Sequence, residues 1–150
     1  MTQKSGLTIR QHERESLGLR IEFVVAEQHR GQVRFSAISG AAEPHVTRGV
    51  AADISSGGMG LVCPQFVPRM CAGTVRVFDP TPVGTANDGS PIHELCFQHA
   101  VRVRRVTLDS HEPEYAIGVA FVDPAADIEE RVAAVLAMAP IGGDRGDAHG

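Results

Sequence analysis

The amino-acid sequence predicts a mainly β domain, an antiparallel barrel or sandwich, followed by one C-terminal helix. Two observations support this fold class. Several short segments alternate apolar and polar residues and are separated by Gly, Pro and Asp turn signals, whereas a helical apolar stripe occurs near the C-terminus. The chain has 150 residues, which is the size of a single domain with its own core.

The predicted strands follow from period-two alternation. In the first one, the apolar side chains of Leu19, Ile21 and Phe23 share a face with Val25. A strand-like piece over 33–37 precedes a loop through Pro44. The remaining predicted strands cover 46–52, 59–63, 74–78, 92–106 and 115–121, with a loop over 79–91.

The predicted helix begins after the last strand. Asp123 suits the N-cap, Pro124 the first helical position and Pro140 the end. One apolar stripe is expected to pack on the β-domain, formed by Ile128, Val132, Val135 and Leu136. We expect a flexible N-terminal arm over 1–18, the folded domain over 19–140 and a disordered tail over 141–150.

Composition excludes several functional classes. A formal net charge of −4 lacks the basic excess that non-specific DNA or RNA binding requires, so an anionic ligand would need a local arginine cluster. We expect neither a signal peptide nor a membrane span, because no apolar segment is suitable. The three cysteines, Cys63, Cys71 and Cys96, lack C-x-x-C spacing. This argues against a disulfide framework and favours the cytoplasm.

Two polar motifs stand out against this background. Arg10 and Arg14 form R-x-x-x-R, and Asp53, Ser55 and Gly58 form D-x-S-x-x-G between two predicted strands. Separately, each has an ordinary explanation: a solvated terminus for the first and a hairpin turn for the second. A dinucleotide-binding G-x-G-x-x-G is excluded because a cysteine occupies the third glycine position.

Together and in this order, the two motifs resemble the signature of the PilZ family of bacterial cyclic di-GMP receptors. The segment Gly118–Phe121, before the helix, is similar to the end of a PilZ barrel. The resemblance covers about residues 9–138. It implies a small six-stranded antiparallel PilZ-like β-barrel with a C-terminal α-helix, acting as a receptor and not as an enzyme.

The resemblance also implies a binding site for cyclic di-GMP, formed by Arg10, Arg14, Asp53, Ser55, Gly57 and Gly58. The planar guanidinium groups bind phosphate and stack on guanine. The carboxylate accepts from the guanine N1–H and amino group, while the serine hydroxyl bonds nearby. The glycines leave room for a base and allow positive φ. Ligand binding is expected to order the arm and to change the surface offered to a downstream protein.

The sequence is also compatible with a function that does not involve a nucleotide. A PilZ-like adaptor without nucleotide would be favoured by an exposed apolar patch on the segment 26–46, which is longer than a minimal PilZ domain needs. No metal site is predicted, because the spacing of the nearby acids and histidines fits no ligand pattern: His93, Glu94, His99, His111, Glu112 and Glu114. The arginines 102, 104 and 105 suit a solvated strand face, part of which can border the ligand.

Overall fold

Six antiparallel strands form a closed barrel in the computed structural model, which describes residues 17–36, 43–108 and 114–139. The elements in chain order are β1 (Leu19–Val25), β2 (Val46–Ile54), β3 (Gly58–Cys63), β4 (Ala72–Phe78), β5 (Gly84–Thr85), β6 (Pro91–Ile92), β7 (Leu95–Leu108), β8 (Tyr115–Phe121) and α1 (Ile128–Met138). Around the barrel the order is β1-β2-β3-β8-β7-β4. The predicted mainly β barrel with a C-terminal helix is confirmed. Arg10, Arg14 and the predicted tail lie outside the described residues.

The barrel core follows from the alternation in the sequence. In β1 the four predicted apolar residues are each at most 1% exposed: Leu19, Ile21, Phe23 and Val25. This strand pairs with β2 on one side and with β4 on the other. Both edges of every barrel strand are paired with a neighbouring strand. The side chains on one face of each of the six strands therefore fill the barrel interior.

The strand-like piece predicted over 33–37 is wrong as a strand. Residues 33–36 have no regular structure, Ala37 lies outside the described ranges, and a short 3₁₀ helix, Glu27–His29, precedes them. Val33 and Phe35 are nevertheless buried. The N–H of Phe35 donates to the carbonyl of Pro44 at 2.7 Å. The alternation of apolar and polar residues in this segment reflects burial of its apolar side chains and not strand pairing. The edges of the barrel strands are already paired with one another, so none is left for this segment.

The helix begins later than predicted. Its N-cap is Asp127, whereas Asp123, the predicted N-cap, has a φ of +47° and lies in a bend before the helix. This uncommon left-handed conformation redirects the chain after β8. Ile128, Val132 and Val135 are buried, but the fourth residue of the predicted stripe, Leu136, is exposed. The helix packs near β7, where the Arg131 guanidinium lies 4.9 Å from the ring centre of Phe97.

The region between β4 and β7 also differs from the prediction. The loop expected over 79–91 contains β5, which pairs with β6 as a separate two-stranded ribbon. β7 begins at Leu95, later than predicted, and extends to Leu108. Within the described ranges, no helix is long and apolar enough to cross a membrane.

The adjacent residues Val135 and Leu136 test the position of the helix. Val135→Ala should lower the free energy of unfolding by about 2 kcal/mol, because two buried methyl groups are lost and a small cavity remains. Leu136→Ala should cost less than about 1 kcal/mol, although it removes a larger side chain, because that side chain is 46% exposed. Urea denaturation of both variants measures the difference, and a larger loss for Leu136→Ala would contradict this orientation.

Candidate functional site

A β-bulge in β2 places Asp53 on the outside of the barrel. Thr47 and Ala51 face the interior, and a strict period of two would point Asp53 inward as well. Ala51 pairs with Leu61 but Asp53 pairs with Gly60, so Ala52 is an extra residue. After this bulge Ile54 is buried and Asp53 is exposed. The carboxylate is therefore available to solvent and ligands.

A second bulge has the same effect in β7. Val103 is fully buried opposite Val119, whereas the next paired residue, Arg105, lies opposite Gly118. Arg104 is the extra residue. Both arginines are exposed as a result, and inward alternation resumes with Val106, which packs against the core.

Four directly paired residues connect the two bulges across the outer face. Asp53 pairs with Gly60, Gly60 with Gly118, and Gly118 with Arg105. A Cβ at Gly60 would lie 2.8 Å from Oδ2 of Asp53, and one at Gly118 would lie 3.3 Å from Nε of Arg105. The carboxylate and the guanidinium therefore converge over two facing glycines. The close approach at Gly118 is made by this arginine, and β8 pairs with β3 without a bulge.

The loop between β2 and β3 is a tight turn. The N–H of Ser55 donates to the carbonyl of Gly58 at 2.9 Å, and the N–H of Gly57 donates to the Ser55 hydroxyl at 3.2 Å. Positive φ is not used here, contrary to expectation, because the described glycines with positive φ are Gly18 and Gly89. Gly58 is instead required for close packing, since a Cβ there would overlap the carbonyl oxygen of Val119.

These residues line an open cavity of about 250 Å³. Its lining contains four of the six predicted site residues, together with six others: Asp53, Ser55, Gly57, Gly58, Met59, Gly60, Arg104, Arg105, Gly118 and Val119. One carboxylate and two guanidinium groups make the lining locally positive on a chain that is acidic overall. The sequence left the position of Arg104 and Arg105 open. Two consecutive arginines interrupting an alternating strand were the available signal of a bulge.

The start of the described chain lies beside this cavity. The N–H of Leu17 donates to the carbonyl of Ala52 at 3.3 Å, and the N–H of Gly18 donates to that of Ala51 at 3.2 Å. The chain thus enters β1 next to the bulge that exposes Asp53. Arg14 precedes Leu17 by three residues, so covalent geometry limits the distance between their Cα atoms to about 11 Å.

A larger cavity, of about 450 Å³, lies on another part of the barrel and contains none of the predicted site residues. It is lined by residues of β1 and β2, by Phe78 and by His93. Arg48, five residues before Asp53, lines this second cavity. Its Nε donates to Oε2 of Glu22 at 3.1 Å, and Nη1 of Arg76 donates to Oε1 of the same carboxylate at 3.5 Å. This carboxylate is therefore shared between two arginines.

The cysteine thiols are not activated. Burial raises the pKa of Cys63 to about 12, against a smaller lowering by the hydrogen bond with Thr47. Burial also raises the pKa of Cys71 and Cys96. These thiols stay protonated at neutral pH, which disfavours a nucleophilic role. Among residues 17–36, 43–108 and 114–139, no three His, Cys, Asp or Glu side chains are grouped to hold a metal ion.

The observed barrel and helix have the architecture that the PilZ resemblance implies. The fold is PilZ-like. No family model matches the chain, and no curated protein matches it. Among solved structures it is similar to the PilZ domain with c-di-GMP of YcgR from Escherichia coli, at 12% identity and a TM-score of 0.46. The match covers 87% of this chain and 88% of that one.

The two glycines of the PilZ-like loop should respond differently to a methyl group. Gly58→Ala should lower the free energy of unfolding by about 2 kcal/mol or more, because the added Cβ overlaps the backbone of β8. Gly57→Ala is the matched control and should change it by less than about 1 kcal/mol, since its Cβ would meet only the Ser55 hydroxyl at 3.9 Å. Chemical denaturation separates the two, and equal losses would contradict the tight packing at Gly58.

Proposed function

We propose that this chain is a PilZ-type receptor that binds cyclic di-GMP and signals through protein contact. The observation that supports it most directly is the convergence of Asp53, Ser55, Gly57 and Gly58 on one locally positive cavity of a PilZ-like barrel. These residues are separated from Arg10 and Arg14 by some forty residues in sequence. The described chain begins beside Asp53, at a residue three positions after Arg14, which supports assigning the two motifs to one site.

The chemistry of the cavity suits a guanine nucleotide. The exposed carboxylate of Asp53 can accept from the guanine N1–H and amino group. The Ser55 oxygen already accepts from the N–H of Gly57, which leaves its hydroxyl hydrogen free to donate. Arg10 and Arg14 would bind the phosphates and stack on a base. Local arginines must supply this attraction because the chain as a whole carries a net charge of −4.

The proposed signal is ordering of the N-terminal arm by the ligand. The arm joins the barrel at Leu17, whose backbone bonds to β2 at the bulge. When Arg10 and Arg14 bind a ligand seated against Asp53, residues 1–16 are drawn over this face of the barrel. That closure replaces one exposed surface by another, and a downstream protein can distinguish the two. Binding and release of the intact ligand suffice, so no catalytic step is required.

The alternative, an adaptor that works without nucleotide, would be favoured by an apolar patch on the segment 26–46. In the described part of that segment, Val33 and Phe35 are buried. The exposed large apolar side chains of the described residues lie in other parts of the chain, among them Phe66, Met70 and Leu108. The receptor is therefore the function that the described residues support best.

Calorimetric titration with cyclic di-GMP tests the receptor. Wild type should bind saturably, and Asp53→Ala and Arg14→Ala should each weaken binding by about 2 kcal/mol or more, roughly 30-fold, because a charge-assisted contact is lost and its partner is left unpaired.

Exposed neighbours provide matched controls: Ser56→Ala for the loop and Arg20→Ala for the charge should retain wild-type affinity. GMP is the ligand control. Absence of saturable wild-type binding would leave the adaptor, and unchanged affinity in Arg14→Ala would remove the arm from the site.

Amide hydrogen exchange tests the ordering of the arm. On saturation with cyclic di-GMP, exchange in residues 6–16 should slow, because backbone groups become protected when the arginines bind. The β5-β6 ribbon, residues 84–92, is an internal control that should not change. If exchange in the arm is unaffected although the ligand binds, signalling by arm closure is wrong.

A further inference from the structure

We propose that Arg105 recognises the guanine base itself, with its guanidinium donating to O6 and N7 while Asp53 accepts from N1–H and the 2-amino group. This role presupposes the cyclic di-GMP binding proposed above. It assigns base specificity to a side chain on β7, which belongs to neither the R-x-x-x-R nor the D-x-S-x-x-G motif.

Two bulges turn Arg105 and Asp53 to the same outer face of the barrel. The bulge at Arg104 turns Arg105 outward, and the bulge at Ala52 does the same for Asp53. The strands between them contribute two glycines at the paired positions, so the carboxylate lies over Gly60 and the guanidinium over Gly118. Opposite charges from strands that are not neighbours are thereby brought to one cavity.

No described residue forms an ion pair with the Arg105 guanidinium. Five arginines of the described chain donate to the fold: Arg30, Arg48, Arg76, Arg102 and Arg131. Arg105 belongs to the other group, with Arg20, Arg34, Arg69 and Arg104, which form no ion pair with a described residue. Within the described ranges, neither Asp53 nor Arg105 has an ion-pair partner within 4.0 Å. Among the described residues, none therefore competes with a ligand as an ion-pair partner of these two groups.

The hydrogen-bonding groups of Arg105 and Asp53 are complementary to the edge of a guanine base. Guanine carries acceptors, O6 and N7, next to donors, N1–H and the 2-amino group, and these are complementary to a guanidinium beside a carboxylate. Adenine has an amino donor at position 6 and lacks both N1–H and the 2-amino group, so it would oppose donor to donor. The Asp53 carboxylate beside Arg105 partly offsets the attraction of the two arginines for a phosphate, whereas it adds to the binding of a base edge. The base edge is thus the better partner for Arg105.

A chemical double-mutant cycle tests this contact. Affinity is measured by calorimetry for cyclic di-GMP and for its 7-deazaguanine analogue, in which a carbon replaces N7. For wild type, loss of N7 should weaken binding about 10-fold, because one hydrogen bond of the fork is removed. Arg105→Ala should weaken cyclic di-GMP binding by about 10-fold or more and should bind both ligands equally.

Two further variants distinguish the paired hydrogen-bond donors of the planar Arg105 guanidinium from its positive charge. Arg105→Lys keeps the charge but lacks the planar fork, so it should stay weakened and insensitive to N7. Arg20→Ala removes the same charge from an exposed position on β1 and should behave like wild type with both ligands.

The outcomes distinguish this inference from the proposed function. If Arg105→Ala weakens both ligands while the N7 effect persists, or if Arg105→Lys matches wild type, Arg105 acts only as a charge and base recognition is overturned. Wild-type affinity in Arg105→Ala overturns it too, while the receptor stands. If wild type binds no cyclic di-GMP, both are overturned.

Discussion

The hydrogen-bond register of the closed barrel is the constraint on which the site depends. Each barrel strand is paired on both sides, so an extra residue cannot be accommodated by sliding a free edge and must be absorbed locally as a bulge. Three such residues occur, Ala52 in β2 and Cys96 and Arg104 in β7, and Ala52 and Arg104 border the site. Each one reverses which residues face outward. Without them, Asp53 and Arg105 would point into an apolar interior, where an unpaired charge is costly.

The cavity also depends on residues that lack side chains. Gly58 allows the turn to pack on β8, while Gly60 and Gly118 leave the space that Asp53 and Arg105 occupy. Hydrogen bonds between the strands hold the residues at the base of this cavity. The groups that would contact a ligand are therefore preorganised. On another face, Glu22 lies between Arg48 and Arg76, and that pairing serves the fold. The charged groups of the candidate site form no such ion pair with a described residue.

Much of the fold is predictable from local pattern. Period-two alternation identifies β1, and turn residues identify the hairpin between β2 and β3, because both depend on neighbours in sequence. The same reasoning places four of the six proposed site residues in one loop and strand end. It fails for 33–37, where alternation reflects burial without pairing. It also fails for the start of α1, because Asp123 adopts a left-handed conformation that a preference for N-cap residues does not reveal.

The sequence by itself determined the fold class, the main strands and the motif around Asp53, because these follow from side-chain polarity and turn chemistry along a few consecutive residues. Only the tertiary structure decided that Asp53 faces outward, that Gly60 and Gly118 lie side by side, and that Arg105 converges on the same cavity. The reason is that a bulge exists only relative to a partner strand. Those partners are supplied by closure of the barrel, and their register is not encoded in any single segment.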